Sequence, residues 1–219
     1  MKEPFEIVFN DEYIVVVNKV AKLLVHPSPK KEKNTLTSLL GEKLGENVFP
    51  CHRLDRETTG LVVFAKNKKI RSALFAQFKN REIKKRYYAL VRGRMKKSKG
   101  VLSGKILDLQ GQQFGEKAKY AKTVYKTRST GSRFSLLDLE PLTGRTNQLR
   151  IQLAEAGNPI LGERSYALGR DFPVKFRRLA LHAYYINFRH PLSGDRVEIK
   201  VDLAEDMAEF LKQSKANSG

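Results

Sequence analysis

The sequence has little of what disulfide, metal or thiol chemistry requires. Cys51 is its single cysteine, so no intrachain disulfide can form, and a reducing compartment is indicated. The four histidines are scattered and, with one cysteine, match no zinc-ligand spacing. Cys51 precedes His52, but neighbouring residues of an extended chain point to opposite faces, which disfavours a thiol–imidazole pair. These absences argue against metal and thiol catalysis.

Long apolar runs and nucleotide-binding motifs are also missing. The longest wholly apolar runs have about five residues, whereas a membrane span needs roughly 20. Residues 1–10 contain no secretory signal pattern. The sequence has neither a G-x-x-x-x-G-K-[ST] phosphate loop nor a G-x-S-x-G elbow. We therefore expect a cytoplasmic protein that contacts no membrane and uses no metal or nucleotide cofactor. Any catalysis must then rely on carboxylate, tyrosine and arginine side chains.

Acidic residues are scarce relative to basic ones. The chain has 23 Asp and Glu against 42 Lys and Arg, a formal charge of +19. A domain this basic more often binds a polyanion, with nucleic acid the first candidate, although charge also keeps proteins soluble. The excess is concentrated in residues 66–100, which we call the basic stripe and which hold fourteen Lys or Arg and one acid, Glu82. Tyr87 and Tyr88 lie within the stripe, and aromatic rings among cations are typical of surfaces that stack on bases.

The basic stripe predicts a track for RNA phosphates, because each neutralised phosphate releases condensed counterions. A merely solvated helix face and loop would have the same composition. The stripe residues that we expect to be exposed and to contact RNA are Lys68, Lys69, Lys96, Lys97 and Lys99.

The order of sequence patterns predicts an α+β protein with a mixed, mainly antiparallel sheet flanked by helices and loops. Helices are predicted at 35–44, 68–80, 147–156 and 206–213. Strands are predicted at 5–9, 13–17, 61–65, 85–91, 101–109, 121–127, 134–139, 178–188 and 196–201. We expect residues 1–219 to form a single domain, with a core over about 5–202 and a C-terminal helix and tail over 203–219.

The stretch CHRLDRETTG at residues 51–60 places Asp55 between Arg53 and Arg56, just before an apolar strand. Flanking arginines favour the ionised carboxylate because opposite charge stabilises the charged form. An ionised and oriented aspartate can serve as a nucleophile or as a base. An aspartate in an ordinary turn can have the same neighbours, so these residues alone leave both interpretations open.

The longer stretch HRLDRETTGLVVFAK resembles the signature of the RluA family of RNA pseudouridine synthases, HRLD-x-x-[ST]-[ST]-G followed by an apolar strand. Four other segments are similar to family motifs and come in the family's order: FEIVFNDEYIVVVNKVAKLLVHPS, KKRYYALVRG, PLTGRTNQLRIQLAEAGNPILGERSY and RRLALHAYYINFRHP. The resemblance covers residues 5–202. It implies the synthase fold, with an active-site cleft across the sheet. It also implies the isomerisation of specific uridines in structured RNA, ribosomal RNA and/or tRNA, without a cofactor.

The same resemblance implies a role for several residues. Asp55 is implied to be the catalytic aspartate, leaving open whether it attacks C1′ or removes a sugar proton. Tyr87 is implied to lie against the target base and to help remove its C5 proton. Arg150 is implied to pair with Asp55 and to hold it ionised. Arg53 is implied to help flip the target nucleotide out of the RNA stack, and Leu149 to pack near the base.

Other residues near these motifs either fit two interpretations or depart from the family pattern. Arg145, in TGRT, either contacts an RNA phosphate or braces the site. Asn147 and Gln152 stand where the family usually has histidines, and their amides can keep a hydrogen-bonding role but not a proton role. Glu163 replaces an aspartate. His52 is expected to fix the loop before the catalytic aspartate.

Two functions of different classes fit the sequence. The first is an RNA pseudouridine synthase, and the second is a catalytically silent RNA-binding or assembly factor of the same fold. Retention of Asp55, Tyr87 and Arg150 together favours the enzyme. An RNA hydrolase is disfavoured, because neither a metal cluster nor a histidine partner for the aspartate is indicated. Since the family pattern begins by residue 5, we expect no N-terminal S4 domain, so that the catalytic domain and the basic stripe bind the RNA. We also expect a monomer.

Overall fold

The computed structural model describes residues 3–27, 32, 34–107, 117–167 and 174–216. Its helices are α1 (Leu36–Leu44), α2 (Lys68–Lys79), α3 (Gln148–Glu155) and α4 (Glu205–Ala216). Its strands are β1 (Phe5–Asn10), β2 (Ile14–Lys19), β3 (Phe49–Pro50), β4 (Thr59–Ala65), β5 (Lys84–Arg92), β6 (Lys99–Ile106), β7 (Lys119–Thr130), β8 (Phe134–Pro141), β9 (Leu181–Arg189) and β10 (Arg196–Lys200).

The chain divides into two compact units, each described by itself. Unit 1 comprises Met1–Lys85 and Ala183–Asp202, and unit 2 comprises Arg86–His182 and Leu203–Gly219. The strand registers within both units are antiparallel. The prediction of an α+β fold with a mainly antiparallel sheet is thus confirmed. Among the described residues, no helix combines the length and apolar character needed to cross a membrane.

Unit 1 is built around β4, every residue of which is buried. Its strands are ordered β1-β2-β4-β9, with β3 on β4 and β10 on β9. The apolar run of β4 packs in one core with β2 and with Ile70 and Leu74 of α2. That packing explains why the run has no polar alternation, since both faces of the strand are covered. β3 was not predicted, because two residues are too few to show a periodic pattern.

The two helices of unit 1 lie within one residue of their predicted bounds, and a side chain caps the N terminus of each. Thr35 caps α1 through a capping box with Ser38, and Gly45 ends it in the left-handed conformation at φ 67°. Asn67 caps α2, its side chain accepting a hydrogen bond of 2.9 Å from the amide of Ile70. Both caps use neighbouring residues only, which is why the sequence predicts these helices well.

Unit 2 contains a sheet of order β5-β8-β7-β6, with α3 against one face. Ile151 of α3 packs with Ile106 and Ala121 of that face. On α4, Asp206 receives two hydrogen bonds of 2.6 Å from the buried Arg178. β6 begins two residues before the predicted strand 101–109, because residues 99 and 100 also pair with β7. The end of that prediction, from 108 onward, lies outside the described residues.

Candidate active site

Asp55 lies in the loop between β3 and β4 of unit 1, where its side chain is partly buried. The neighbouring Arg53 and Arg56 are exposed, and Leu54 is buried. The amide of Thr58 donates a hydrogen bond of 3.1 Å to the carbonyl of Asp55, which closes the chain into a turn. The buried leucine and this turn together restrict the backbone that carries the carboxylate.

Both sides of the Asp55 loop are tied to the neighbouring strands. On the first side, the amide of Cys51 donates to the carbonyl of Val63 at 3.0 Å. His52 Nε2 accepts a hydrogen bond of 3.1 Å from the amide of the same valine. On the second side, the buried ammonium of Lys19 donates to the carbonyl of Arg56 at 3.3 Å. These contacts agree with the expectation that His52 fixes the loop, and they add Lys19, whose role the sequence did not reveal.

The ionisation of Cys51 and His52 suits a structural role. Burial raises the pKa of Cys51 to about 12, so the thiol stays protonated and is a poor nucleophile. Burial, with a further contribution from the positive charge of Lys85, lowers the pKa of His52 to about 3. The imidazole is therefore neutral, and it can accept the hydrogen bond from Val63. In the described part of the chain, His, Cys, Asp and Glu residues form no group of three or more that could hold a metal ion.

Gly60 allows the strand after the loop to approach its neighbour. Its φ is +112°, and a Cβ atom at this position would overlap the backbone of Ala183 on β9. Only glycine combines this conformation with so close an approach. The glycine that ends the HRLD-x-x-[ST]-[ST]-G pattern thus has a structural reason in this chain.

In unit 2, Tyr87 and α3 lie on the same face of the sheet. Tyr87 of β5 pairs with Leu139 of β8, which pairs in turn with Tyr125 of β7, so the three side chains share one face. Thr123, two positions before Tyr125, belongs to this face too. Its hydroxyl donates a hydrogen bond of 2.7 Å to Gln152 of α3. Tyr87 is buried, with 9% of its surface exposed. Tyr87 therefore lies on the face of the unit 2 sheet that contacts α3, the helix that contains Arg150.

Arg150 is held by a carboxylate of its own unit. Its Nε and Nη2 donate to the two carboxylate oxygens of Glu163 at 2.7 and 2.8 Å, and its Nη1 donates to Asn147 Oδ1 at 2.9 Å. The guanidinium carbon also lies 4.9 Å from the ring centre of Tyr166. Such bidentate pairing fixes the plane of the guanidinium. The predicted pair of Arg150 with Asp55 stays a prediction.

The carboxylate of Glu163 is fully buried, and its hydrogen-bond partners favour its ionised form. Burial acts to raise the pKa of Glu163, but hydrogen bonds from Arg150 and from the amides of Ser165 and Tyr166 outweigh it, and the pKa lies below its ordinary value. The sequence showed Glu163 only as a departure from the family pattern. Its function as the partner of Arg150 depends on a contact across thirteen residues, which no local pattern indicates.

Asn147 and Gln152, which stand where the family pattern has histidines, both make hydrogen bonds that support the structure. Asn147 precedes α3 with φ 52°, a left-handed conformation that asparagine tolerates better than most residues. Gln152 is buried, accepts from Thr123 and donates to the carbonyl of Leu102 at 3.1 Å. Both residues thus keep hydrogen-bonding roles without any need for a titrating group.

The two remaining predicted site residues of unit 2 are Arg145, in the turn before α3, and Leu149, on α3. Arg145 Nε donates to the carbonyl of Tyr120 at 3.1 Å, which supports the bracing interpretation for this atom. Leu149 is buried on α3, with 7% of its surface exposed.

The basic stripe is distributed over several elements. Lys68 and Lys69 are exposed on α2 in unit 1. Lys96 and Lys97 are exposed in the turn before β6, and Lys99 is exposed on β6 itself. Lys85 differs from these: its ammonium lies 5.4 Å from the ring centre of Phe78, and burial lowers its pKa. Lys85 is therefore part of the packing around His52, whereas the five predicted contact lysines are all exposed.

Comparisons with known proteins agree with this architecture. The family model for RNA pseudouridylate synthase matches residues 13–155. The chain is 37% identical to tRNA pseudouridine synthase C of Vibrio cholerae serotype O1, over 91% of each protein. It is 36% identical to the dual-specificity RNA pseudouridine synthase RluA of Vibrio vulnificus, over 86% of this chain and 79% of that protein. The solved structure of human RNA pseudouridylate synthase domain containing 4 has a TM-score of 0.79 and 25% identity, covering 95% of this chain and 92% of that one.

Proposed function

The chain belongs to the RNA pseudouridylate synthase family and is an RNA-modifying isomerase, and from this premise we propose that it isomerises specific uridines of tRNA, ribosomal RNA or both with Asp55 as its catalytic aspartate. The observation that carries the assignment of Asp55 is the anchoring of its loop. Hydrogen bonds from both sides of the loop, together with the buried Leu54, position a partly buried carboxylate between two exposed arginines. We place this activity in the cytoplasm, in a monomer whose chain acts as one catalytic domain.

The proposed reaction conserves all atoms. The N1–C1′ bond of the uridine breaks, the uracil rotates, and a C5–C1′ bond forms, while C5 loses a proton and N1 gains one. Asp55 acts on the sugar, either by attacking C1′ or by removing a sugar proton. Arg150, fixed by Glu163, favours the ionised form of this aspartate. Tyr87 lies against the base and takes part in removing the C5 proton.

Three further residues help to hold the flipped nucleotide or to support the site in the proposed mechanism. Arg53 is exposed beside Asp55 and can take the place of the flipped nucleotide in the RNA stack, which lowers the free energy required for base flipping. Leu149 supplies an apolar contact to the uracil, and Arg145 supports the turn before α3. The basic stripe binds phosphates outside the target nucleotide.

Carbodiimide primer extension tests this function in cells. We expect cells that lack the gene to lose the modification at one or more uridines, and wild-type protein to restore it. Restoration should fail with Asp55→Asn. A full set of pseudouridines in the deletion strain would instead support the silent RNA-binding or assembly factor of the same fold.

Substitutions of Tyr87 separate the hydroxyl from the ring. Tyr87→Phe keeps the aromatic surface, so we expect near-normal RNA binding but roughly 10²-fold slower single-turnover isomerisation if the hydroxyl takes part in proton transfer. Tyr87→Ala should in addition weaken RNA binding by about 1–3 kcal/mol through lost stacking. Tyr88→Phe is the matched control, because Tyr88 pairs with Asp138 and points to the other face of the sheet. Wild-type activity of Tyr87→Phe would restrict Tyr87 to a packing role.

The basic stripe is tested by its salt dependence. Replacing Lys68, Lys69, Lys96, Lys97 and Lys99 by glutamine should weaken RNA binding. Each lost phosphate contact should reduce the slope of log K against log salt by roughly 0.7–0.9. The single-turnover rate at saturating enzyme should change little, because these lysines do not touch the reacting nucleotide. Lys200 and Lys212 replaced by glutamine provide an exposed control outside the stripe. Equal slopes for the stripe variant and wild type would exclude the stripe as an RNA contact.

A further inference from the structure

The two strands β6 and β7 of unit 2 present a basic and partly apolar surface. Residues directly opposite each other on antiparallel strands project to the same face, as do alternate residues along each strand. On one face, the opposed pairs are Lys99 with Lys126, Val101 with Val124, Ser103 with Lys122, and Lys105 with Tyr120. We call this surface the lysine face, after Lys99, Lys105, Lys122 and Lys126.

The lysine face is not the face that carries Tyr87. The opposite face of the same strands contains Ala121, Thr123 and Tyr125, and it is covered by α3 through Ile151 and Gln152. The lysine face therefore has no part in positioning the reacting residues of unit 2, and the proposed chemistry does not explain its composition.

The charges of the lysine face do not stabilise the fold. Lys99 lies directly opposite Lys126, and like charges in such a cross-strand pair are destabilising. Within the described ranges, the four ammonium groups form no ion pair with a carboxylate. The strand position opposite Lys126 on β8 is Asp138, but its buried carboxylate receives hydrogen bonds from Arg86 and Arg128. Glu140, opposite Val124, is the remaining acidic residue among the β8 partners of this face.

Apolar side chains lie exposed between the lysines. The exposed fractions are 53% for Tyr120, 51% for Val101 and 38% for Val124. An aromatic ring among cations can stack on a base or pack on a ribose while the ammonium groups bind phosphates. Lys99 and Lys105 are six residues apart on β6, which corresponds to roughly 20 Å of strand and so to several phosphates of an RNA strand.

Charge complementarity selects RNA over a second copy of the chain. A symmetric dimer through this surface would bring lysines against lysines, whereas an RNA backbone would neutralise all four. We propose that the lysine face binds a segment of the substrate RNA outside the target nucleotide and its immediate neighbours. This inference rests on the proposed function, because it takes the RNA that the enzyme modifies as the ligand.

The experiment compares two RNA probes and two variants in which three lysines are replaced, together with Tyr120→Ala. The probes are an unmodified full-length RNA that loses a pseudouridine in cells lacking the gene, and a short hairpin from it that contains the same uridine. The test variant is Lys105→Gln/Lys122→Gln/Lys126→Gln, which leaves the predicted stripe intact. The control variant is Lys175→Gln/Lys200→Gln/Lys212→Gln, which removes the same charge from exposed positions elsewhere. Binding is measured from low to moderate salt, and turnover is measured on the hairpin.

We expect the test variant to bind the full-length RNA more weakly, with a salt slope smaller by about 2–3 for three lost contacts. Its binding and turnover on the hairpin should equal those of wild type, and the control variant should retain the wild-type slope on both probes. Tyr120→Ala should weaken binding of the full-length RNA alone. An unchanged slope in the test variant, or an equal loss in the control variant, would overturn the proposal. Failure of the wild-type protein to isomerise either probe would instead overturn the proposed function.

Discussion

Asp55→Asn is expected to abolish isomerisation and to leave the fold and the RNA affinity nearly unchanged. Asparagine has almost the same shape as aspartate, but it carries no charge and can neither attack a sugar carbon nor accept a proton at neutral pH. The hydrogen bonds that hold the loop come from the backbone, His52 and Lys19, and they do not require the carboxylate. We expect single-turnover activity to fall by at least about 10³-fold.

The control for this prediction lies two residues further along the same loop. Glu57→Gln removes one negative charge from a partly buried position without changing the proposed catalytic group. A general electrostatic effect of the loop would slow both variants equally, whereas catalysis by Asp55 predicts a large loss in Asp55→Asn alone. Circular dichroism and RNA-binding measurements would show that both variants are folded and bind substrate. Turnover of Asp55→Asn at the wild-type rate would remove Asp55 from the mechanism.

The parts of the fold that local chemistry determines could be predicted from the sequence. The side chain of Thr35 and the left-handed Gly45 mark the ends of α1 within its own residues. The continuous apolar run at 61–65 indicates a strand covered on both faces, and β4 is buried throughout. The ends of the strands are predicted less accurately. β7 reaches from Lys119 to Thr130 because β6 and β8 pair along it, although its terminal residues are polar and exposed.

The parts of the candidate site that depend on distant contacts could not be predicted. Lys19 contacts the Asp55 loop across thirty-seven residues, and nothing at residue 19 indicates that its ammonium is buried. Lys85 counts among the cations of the stripe in the sequence, but in the structure it packs on Phe78. Glu163 differed from the family pattern by one methylene, and only the structure shows that it binds Arg150. In each case a charged side chain is buried by residues that no local periodicity connects to it.

The pair of Arg150 and Glu163 leads to the second large effect, which concerns stability as well as activity. The Glu163 side chain is 0% exposed, and that of Arg150 is 16% exposed. Removing one partner of such a buried pair leaves an uncompensated charge, at a cost of about 3–5 kcal/mol. We therefore expect Arg150→Met to lower the free energy of unfolding by roughly this amount, as measured by urea denaturation.

A double variant separates the structural role of Arg150 from its proposed catalytic role. Arg150→Met/Glu163→Gln has no buried charge at either position, so it should recover much of the stability that Arg150→Met loses. It should remain inactive if Arg150 is needed to hold Asp55 ionised. Recovery of both stability and activity in the double variant would mean that Arg150 serves only to neutralise Glu163. Glu163→Gln alone should also lower the free energy of unfolding, because it leaves the charge of Arg150 without its partner. It should lose part of the activity, because the guanidinium is no longer held by both oxygens of a carboxylate.

The pH dependence of stability provides an independent measurement on the same pair. Because the pKa of Glu163 is lower in the folded protein than in the unfolded chain, its ionisation stabilises the fold. That contribution is fully present above the ordinary glutamate pKa of about 4.3, and it is lost as the pH falls through the folded-state value. The stability difference between wild type and Glu163→Gln should accordingly be constant near neutrality and decrease in acid. A difference that does not change with pH would show that the pair contributes packing and hydrogen bonds but no net charge stabilisation.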